Sequence, residues 1–533
     1  MKLREVLKSS IVSTVGGVIA CSTLLIGAPA AAEEKVDASH TVTVDKIRVS
    51  GFTFTGNHQF TAEQLNEGIR DVIGQSLGLE ELKATAERIA AYYHANGYKL
   101  AKVILPKQIF SESAPITIAV FEGQLGNVAI TGNQRYLSDN IRDILAANGV
   151  RQDEVIRLPL LERSVVQINR QSGVETSAAL SPSSEIGKTD LQLKVKEAPR
   201  VAGALSINDF GSKNTGRHRL NANLNFADLS GNGDQLTVYA MKALGSGDAW
   251  FTYANYSTPI NAYGTYFDAY GLKGNVRVGR SLSVLDIVGK SSGFGIGFHQ
   301  DFVYSASNIL TYQMWYEGAD TEQNVLADQV IGDNIRKLRV GLSYTHSAIG
   351  SRTIASVDIH RGLGANFGGM ENDSVLSSRP YARADNEFTK LTFDLSYIRR
   401  LDSHFTIIPH LFGQYAFDSL VSGEEFAIGG NNSVMGHESS AYSGDNGITV
   451  AFEARYNIFA DDPKYQLVSS ISHGRIQIKR PFIDQDSSQS LSGVSFGLIA
   501  NPWKSVQFRV DLAAPLGAKT ESDYFYAQAS YSF

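Results

Sequence analysis

From about Val201 to Phe533 the chain alternates hydrophobic and polar positions with a period of two. The final segment shows the pattern plainly. Phe525, Ala527, Ala529, Tyr531 and Phe533 fall on one face, and Tyr524, Tyr526, Gln528, Ser530 and Ser532 on the other. That period predicts strands, and apolar-out, polar-in alternation suits a strand between lipid and a wet lumen. A soluble sandwich has the same period, so the connectors must decide. About sixteen strands of about ten residues fit the stretch. Short turns are expected at Ser230-Gly231-Asn232-Gly233, Ala262-Tyr263, Ser305-Ala306-Ser307, Ile349-Gly350-Ser351, Asp402-Ser403, Asp461-Asp462-Pro463 and Asn501-Pro502. Longer connectors are expected at 317–334, 362–386 and 420–446. Short and long connectors alternate. A membrane barrel with both ends on one side produces that parity, and a sandwich has no reason to.

The strand faces carry the same message. Ile448, Val450, Phe452, Ala454 and Tyr456 alternate with Thr449, Ala451, Glu453, Arg455 and Asn457, and Val506, Phe508, Val510 and Leu512 with Gln507, Arg509 and Asp511. Charge facing lipid is costly, so Glu453, Arg455, Arg509 and Asp511 are expected to line the lumen, balancing one another or serving transport.

Upstream the period changes. Ile47-Arg48-Val49-Ser50-Gly51-Phe52 runs into Thr55-Gly56-Asn57, and Val128-Ala129-Ile130 into Thr131-Gly132-Asn133. After the first copy, Thr61-Ala62-Glu63-Gln64 forms a capping box that starts a helix near Ala62. A second helix carries Leu82, Ala86, Ile89, Ala90 and Tyr93 on one stripe and stops at Asn96-Gly97. Strands 100–105 and 116–121 follow. The second copy predicts helices over 138–147 and 160–171 and strands over 174–180 and 191–196. This β-α-α-β-β order, twice, resembles POTRA domains, periplasmic modules that bind unfolded client chains. Such a module presents an edge strand to which an extended client can add.

The chain begins with Lys2, Arg4 and Lys8, an apolar run from Ile11 to Gly27, and Ala28-Pro29-Ala30-Ala31-Ala32, which reads as an export signal over 1–32. Val18-Ile19-Ala20-Cys21 also resembles a lipoprotein box, but Leu24, Leu25 and Ile26 continue the apolar run beyond it. Cys21 is the only cysteine, so no disulfide or thiol chemistry is expected of the mature chain. The 533 residues include 49 Gly and 23 Tyr, which favours β structure, and the net charge of −6 makes no electrostatic case for nucleic acid.

Export signal, two modules (45–123 and 124–199) and a sixteen-stranded membrane barrel (201–533) together resemble the two-partner secretion transporters, the haemolysin activation/secretion ShlB/FhaC/HecB family. The most specific residues lie near the C-terminus. Phe426-Ala427-Ile428-Gly429-Gly430, followed by Ser433-Val434-Met435-Gly436-His437-Glu438, resembles the family's signature loop, which folds back into the barrel. Ser443-Gly444-Asp445-Asn446-Gly447, Leu491 to Leu498 and Arg509 to Leu516 resemble the elements after it. The resemblance implies an outer-membrane transporter of a Gram-negative cell with its POTRA domains in the periplasm. Its partner would be a secreted exoprotein with an N-terminal secretion domain. Outer-membrane lipids and, through Tyr531 and the terminal Phe533, the barrel assembly machinery are further implied partners. No cofactor and no metal are implied.

Two departures stand out. The family loop reads Val-Arg-Gly-aromatic, its arginine pairing with an aspartate on a barrel strand. Here the loop reads Val434-Met435-Gly436-His437 and the strand Ser472-His473-Gly474. Both halves of the ion pair are missing, so no lone charge is stranded, and the loop is expected to dock more loosely through Met435 and polar contacts. The stretch between the cleavage site and Asp45 is too short for the N-terminal plug helix of many relatives.

Two other functions compete with export. A barrel insertase of the same superfamily would typically carry more POTRA units. An enzyme is suggested only by Gly493-Val494-Ser495-Phe496-Gly497, which matches the nucleophile-elbow pattern but lies inside an alternating strand, where that motif's strand-to-helix turn is missing. His437 and His473 are expected as polar loop or lumen contacts rather than metal ligands.

Overall fold

The computed structural model describes residues 46–111, 114–245, 248–517 and 523–533. The expected export signal and the stretch judged too short for a plug helix lie outside the described residues. The chain forms two compact units. One holds residues 46–128 with Val150–Pro159 and Leu180–Leu191, the other Ala129–Gly149, Leu160–Ala179 and Gln192–Phe533.

The first repeat copy runs β1 (Ile47–Arg48), β2 (Phe52–Thr55), α1 (Ala62–Glu67), β3 (Ser76–Leu77), α2 (Leu79–Ala95), β4 (Lys102–Ile104) and β5 (Ile116–Phe121). Its capping box forms: Gln64 N–H donates to Thr61 Oγ1 at 3.3 Å and Thr61 N–H to Gln64 Oε1 at 2.9 Å. Leu82, Ile89 and Tyr93 of α2 pack on Phe52, Ile116, Ile118 and Val120 of the sheet β2-β5-β4. The second copy runs β6 (Gln124–Thr131), α3 (Ser138–Ala147), α4 (Leu158–Ile168), β7 (Val174–Pro182) and β8 (Lys188–Glu197), with sheet order β6-β8-β7.

The repeated Thr-Gly-Asn turn has a repeated cause. Gly56 and Gly132 hold φ of +77° and +90°, and a Cβ on either would stand 2.3 or 2.2 Å from the carbonyl oxygen of Val120 or Val195. A carboxylate at the end of the last strand then gathers the turn's amides. Glu122 accepts from the N–H of His58 and Gln59, each at 2.7 Å, and from the Tyr93 hydroxyl at 2.9 Å. Glu197 accepts from the N–H of Gln134, Arg135 and Tyr136 and from Arg135 Nε. Burial alone would raise the Glu197 carboxyl, but Arg135 and the three amides hold it down at about 2. Its contribution to stability is therefore present above the ordinary carboxylate range and is lost as pH falls toward about 2.

Sixteen antiparallel strands close into a barrel. They are β9 (Val201–Asn208), β10 (His218–Ala227), β11 (Gln235–Leu244), β12 (Asp248–Pro259), β13 (Thr265–Arg277), β14 (Val288–Ser305), β15 (Asn308–Val325), β16 (Asp328–Ala348), β17 (Ser351–Gly362), β18 (Thr389–Arg400) and β19 (Phe405–Ala416). After the short β20 (Phe426–Ile428) and β21 (Tyr442–Gly444) come β22 (Asn446–Phe459), β23 (Asp462–Gln477), β24 (Ser488–Trp503), β25 (Val506–Pro515) and β26 (Tyr524–Ser532). The seam pairs β26 with β9 through Gln528↔Asn208 to Ser532↔Ala204, and Phe533 and Gly203 exchange backbone hydrogen bonds of 3.0 Å. No helix among the described residues is long and apolar enough to cross a membrane. The strands do the crossing, with Leu205, Phe294, Phe298, Val450, Leu498 and Phe508 among the exposed side chains of the outer face.

Three expectations need correction. The stretch 317–334 is not a loop: β15 and β16 continue through it, and only Leu326 and Ala327, with φ of +50° and +72°, make the turn. Its many polar residues suggested a connector, but a hairpin standing beyond the lipid has water on its outside and needs no apolar face. The Asn501-Pro502 turn also moves. Both residues belong to β24, where the ladder breaks between Ala500 and Trp503, and the chain reverses at Lys504-Ser505. Finally, His473 does not face the lumen. It is exposed on the outer face with Ile471, its Nδ1 2.8 Å from Ser492 Oγ on the neighbouring strand.

Within the larger unit, the second module meets the short turns of the barrel. Leu137 N–H and Asn140 Nδ2 donate to Gly231 O, Gln167 Nε2 donates to Ala262 O at 2.7 Å, and Arg170 pairs with the buried Asp301 at 2.5 Å. All of these contacts lie at the end of the barrel where β9 begins and β26 finishes.

Candidate functional site: an inward loop on a glycine–serine wall

The chain between β19 and β22, residues 417–445, leaves the far end of the barrel and turns inward. Its β20–β21 hairpin pairs Phe426↔Gly444, Ala427↔Ser443 and Ile428↔Tyr442. Phe426, Ile428 and Val434 form an apolar cluster with Ile476 of β23, Leu491 of β24 and the half-buried Phe412 of β19. The wall admits them because it is bare. A Cβ on Gly447 would stand 2.1 Å from the Phe426 ring, and one on Gly474 2.9 Å from Val434 and 3.1 Å from Ile428.

Past Gly429 and Gly430 the loop lays its own backbone on the wall. A Cβ on Gly493 of β24 would stand 1.9 Å from the Met435 carbonyl oxygen. Gly436, at φ +85°, lies so near β25 that its Cβ would be 2.7 Å from the backbone of Ala514. Met435 is buried with Ala513 and Tyr526, and its sulfur accepts from Ser470 Oγ at 3.8 Å. The buried His437 places Nε2 2.8 Å from the Ser492 carbonyl, and its own carbonyl accepts from Tyr526 Oη of the last strand at 3.1 Å. Ser472 is buried beneath the loop, its hydroxyl 3.5 Å from Gly493 O. The predicted tip and wall residues thus come together without the arginine–aspartate pair, through apolar burial, hydrogen bonds and close backbone approach. Glu438 lies beside Gly430 and His437 in a recess shared with Asp209, Arg217 and Tyr524 near the seam.

The four predicted lumen charges form one ion-pair network on the inner face. Arg455 meets Glu453 at 2.6 Å, and Arg509 joins Glu453 at 3.1 Å to Asp511 at 2.7 Å. Ser495, centre of the elbow-like motif, is buried in β24 and shares a 2.7 Å hydrogen bond with Ser470 Oγ. Tyr531 and Phe533 stand half exposed on the outer face.

Sequence reasoning missed the root of the loop. Asp445, 0% exposed, accepts from Arg379 Nη1 at 2.8 Å, from Leu420 N–H at 2.6 Å and from Lys479 N–H at 2.7 Å. Arg379, from the 363–388 connector, also reaches Glu425 at 2.6 Å and the Leu420 carbonyl at 2.7 Å. Glu424 is clamped between Lys337 of β16 at 2.6 Å and Lys390 of β18 at 2.7 Å. Asp445 lay in a run already singled out, whereas a lone arginine in a connector carries no periodic signal.

The model of the family described as haemolysin secretion/activation protein ShlB/FhaC/HecB matches residues 187–500, and that of the ShlB-type POTRA domain matches 47–123. The heme/hemopexin transporter protein HuxB of Haemophilus influenzae is 26% identical over 86% of this chain and 82% of its own. The outer membrane transporter CdiB of Dickeya dadantii is 23% identical over 88% of this chain and 82% of its own. Among solved structures, CdiB from Escherichia coli superposes with a TM-score of 0.76 at 20% identity, covering 94% of this chain and 93% of that one. BamA from Haemophilus ducreyi reaches 0.53 at 14% identity, a likeness of fold alone. With its barrel, its POTRA module and its inward loop accounted for, this chain belongs to the ShlB/FhaC/HecB family, outer-membrane transporters that take a partner exoprotein from periplasmic POTRA domains and export it through the barrel.

Proposed function

We propose that the inward loop is the gate of this export path. In this reading Gly429, Gly430, Val434, Met435, Gly436, His437 and Glu438 are its docking tip, and Ser472 and Gly474 belong to the seat that receives it. The single observation that carries the reading is the fit at Gly493, where a wall without a side chain leaves room for the Met435 carbonyl. A loop merely filling space needs no such bare strand. Glu453, Arg455, Arg509 and Asp511 then form a charged, hydrated stretch of the path, already balanced among themselves so that a passing chain meets no strong single-sign field.

The client is a secreted exoprotein with an N-terminal secretion domain, met in the periplasm by the two modules in the divisions 45–123 and 124–199. The apolar outer face contacts outer-membrane lipid, and Tyr531 with Phe533 serves as the mark read by the barrel assembly machinery. No catalytic step is assigned: transport here is a matter of opening and passage. The test is to compare the proteins secreted by cells with and without this chain, and with Gly493→Leu, which fills the seat. One or more exoproteins should disappear without the chain, and the variant should let large solutes leak in. An unchanged secretome would argue against the export of a client, and an unchanged leak against the gate.

A further inference from the structure

The two ends of the inward loop are fastened by different chemistry. The root lies in a nest of buried charge. Asp445 alone ties together four stretches of chain: its own, Leu420 on the loop's descending leg, Arg379 of the 363–388 connector and Lys479 of the 478–487 connector. Lys337 and Lys390 hold Glu424 to the wall, and Gln414 Nε2 donates to the carbonyls of both Glu424 and Asp445 at 3.0 Å. The surrounding connectors are stitched to one another as well. Ser422 N–H donates to Ser378 Oγ at 2.8 Å, Arg480 Nη1 to Ala382 O at 3.0 Å, and the rings of Tyr381 and Phe482 meet at 5.1 Å. The distal part, by contrast, is held by the apolar burial of Phe426, Ile428 and Val434, the weak contact of Met435 with Ser470 and hydrogen bonds at His437.

Removing the root from its site would separate several buried charges from their partners at once, whereas lifting the tip leaves those pairs intact. We propose that the loop is hinged at its root: during export Arg379, Asp445, Glu424, Lys337 and Lys390 stay engaged, and only the distal part, 426–444, leaves the wall. Arg379 and Lys390 are then positioning residues, which return the tip to its seat after each passage. This inference rests on the reading of the loop as gate.

Paired cysteines test it, and they meet little competition because Cys21 is the only native cysteine and lies in the expected export signal. S378C/S422C bridges the root to its neighbouring connector, and M435C/S470C bridges the tip to the wall. Secretion of the client is measured in the same cells under oxidant and after reductant, so that each reduced pair reports its own folding and assembly. The oxidised tip pair should cut secretion about tenfold and recover on reduction, while the oxidised root pair should secrete within about twofold of the unmodified chain. If both oxidised pairs block secretion, the loop gates but leaves as a whole, and the hinge is wrong. If the root pair alone blocks, the hinge is likewise wrong. If neither blocks while the unmodified chain secretes, the loop does not move for export, and the gate reading falls with the hinge.

Discussion

Two arcs of the same barrel wall solve opposite problems. The arc from β23 to β25 turns in a patch of small residues, Ser470, Ser472, Gly474, Gly493, Ser495 and Ala513, set between the apolar Ile476 and Leu491 and the charged Arg509 and Asp511. The arc from β12 to β17 turns in Tyr253, Tyr270, Trp315, Glu317, Arg339 and Asp358. Its rings follow one another at centroid distances of 5.7 and 5.6 Å, Arg339 lies 5.2 Å over Trp315, and Glu317 and Asp358 pair with Arg339. Both arcs contain glycines, but they make room for different things. Gly295 and Gly297 admit the rings of Tyr270 and Trp315, whereas Gly493 admits the backbone of another segment. One wall fills itself and the other is left to be filled. A bare patch inside a barrel therefore marks where a second segment rests, because a strand position without a Cβ lets another backbone approach so closely.

The largest predicted effect comes from the root that holds the loop over the bare arc. Arg379→Ala leaves Asp445 and Glu425 buried with no cation between them, at a cost of about 3–5 kcal/mol. Limited proteolysis of the detergent-solubilised protein should then cut within 417–445 much faster, and an unaltered cleavage rate would refute the importance of the root.

A matched pair of substitutions sharpens the comparison directly. Gly493→Ala forces a methyl against the Met435 carbonyl, an overpacking that costs about 1–3 kcal/mol and should lift the tip. Gly295→Ala makes a contact almost as short, 2.2 Å, but against the Tyr270 side chain of the self-filled arc rather than against the loop. Only the first should raise solute leak and loop cleavage. Equal effects would mean that the arcs do not differ in function.

Smaller again is Tyr526→Phe, which removes the hydroxyl that donates to the His437 carbonyl and should weaken the docked tip by about 1 kcal/mol. Protease protection of the tip should fall measurably while the melting temperature barely moves. The smallest net change is expected from Met435→Arg with Ser472→Asp, which restores the family's pair. Desolvation of the two charges offsets much of their attraction. The tip should nonetheless become harder to cleave and secretion should slow. If cleavage and secretion both stay as they are, the missing pair has no part in the gate.

Much of this molecule was legible one residue at a time. The capping box at Thr61 and Gln64, the 138–147 helix and the inward face of Glu453, Arg455, Arg509 and Asp511 all follow from local rules, because a cap needs three residues' spacing and a strand face a period of two. The hairpin of β15 and β16 was misread for the same reason: local polarity does not reveal that a ladder continues into water.

What the sequence by itself determined is the repeated modules, the strand period and the connector parity that makes the barrel a membrane structure, since each depends on spacings within one element and its neighbours. Only the tertiary structure decided how the inward loop is held. It brought Arg379 of one connector to Glu425 and Asp445 at the two ends of the loop and put Met435 over Gly493. Burial of charge and contact of one backbone with another depend on neighbours distant in the chain, and no period records those.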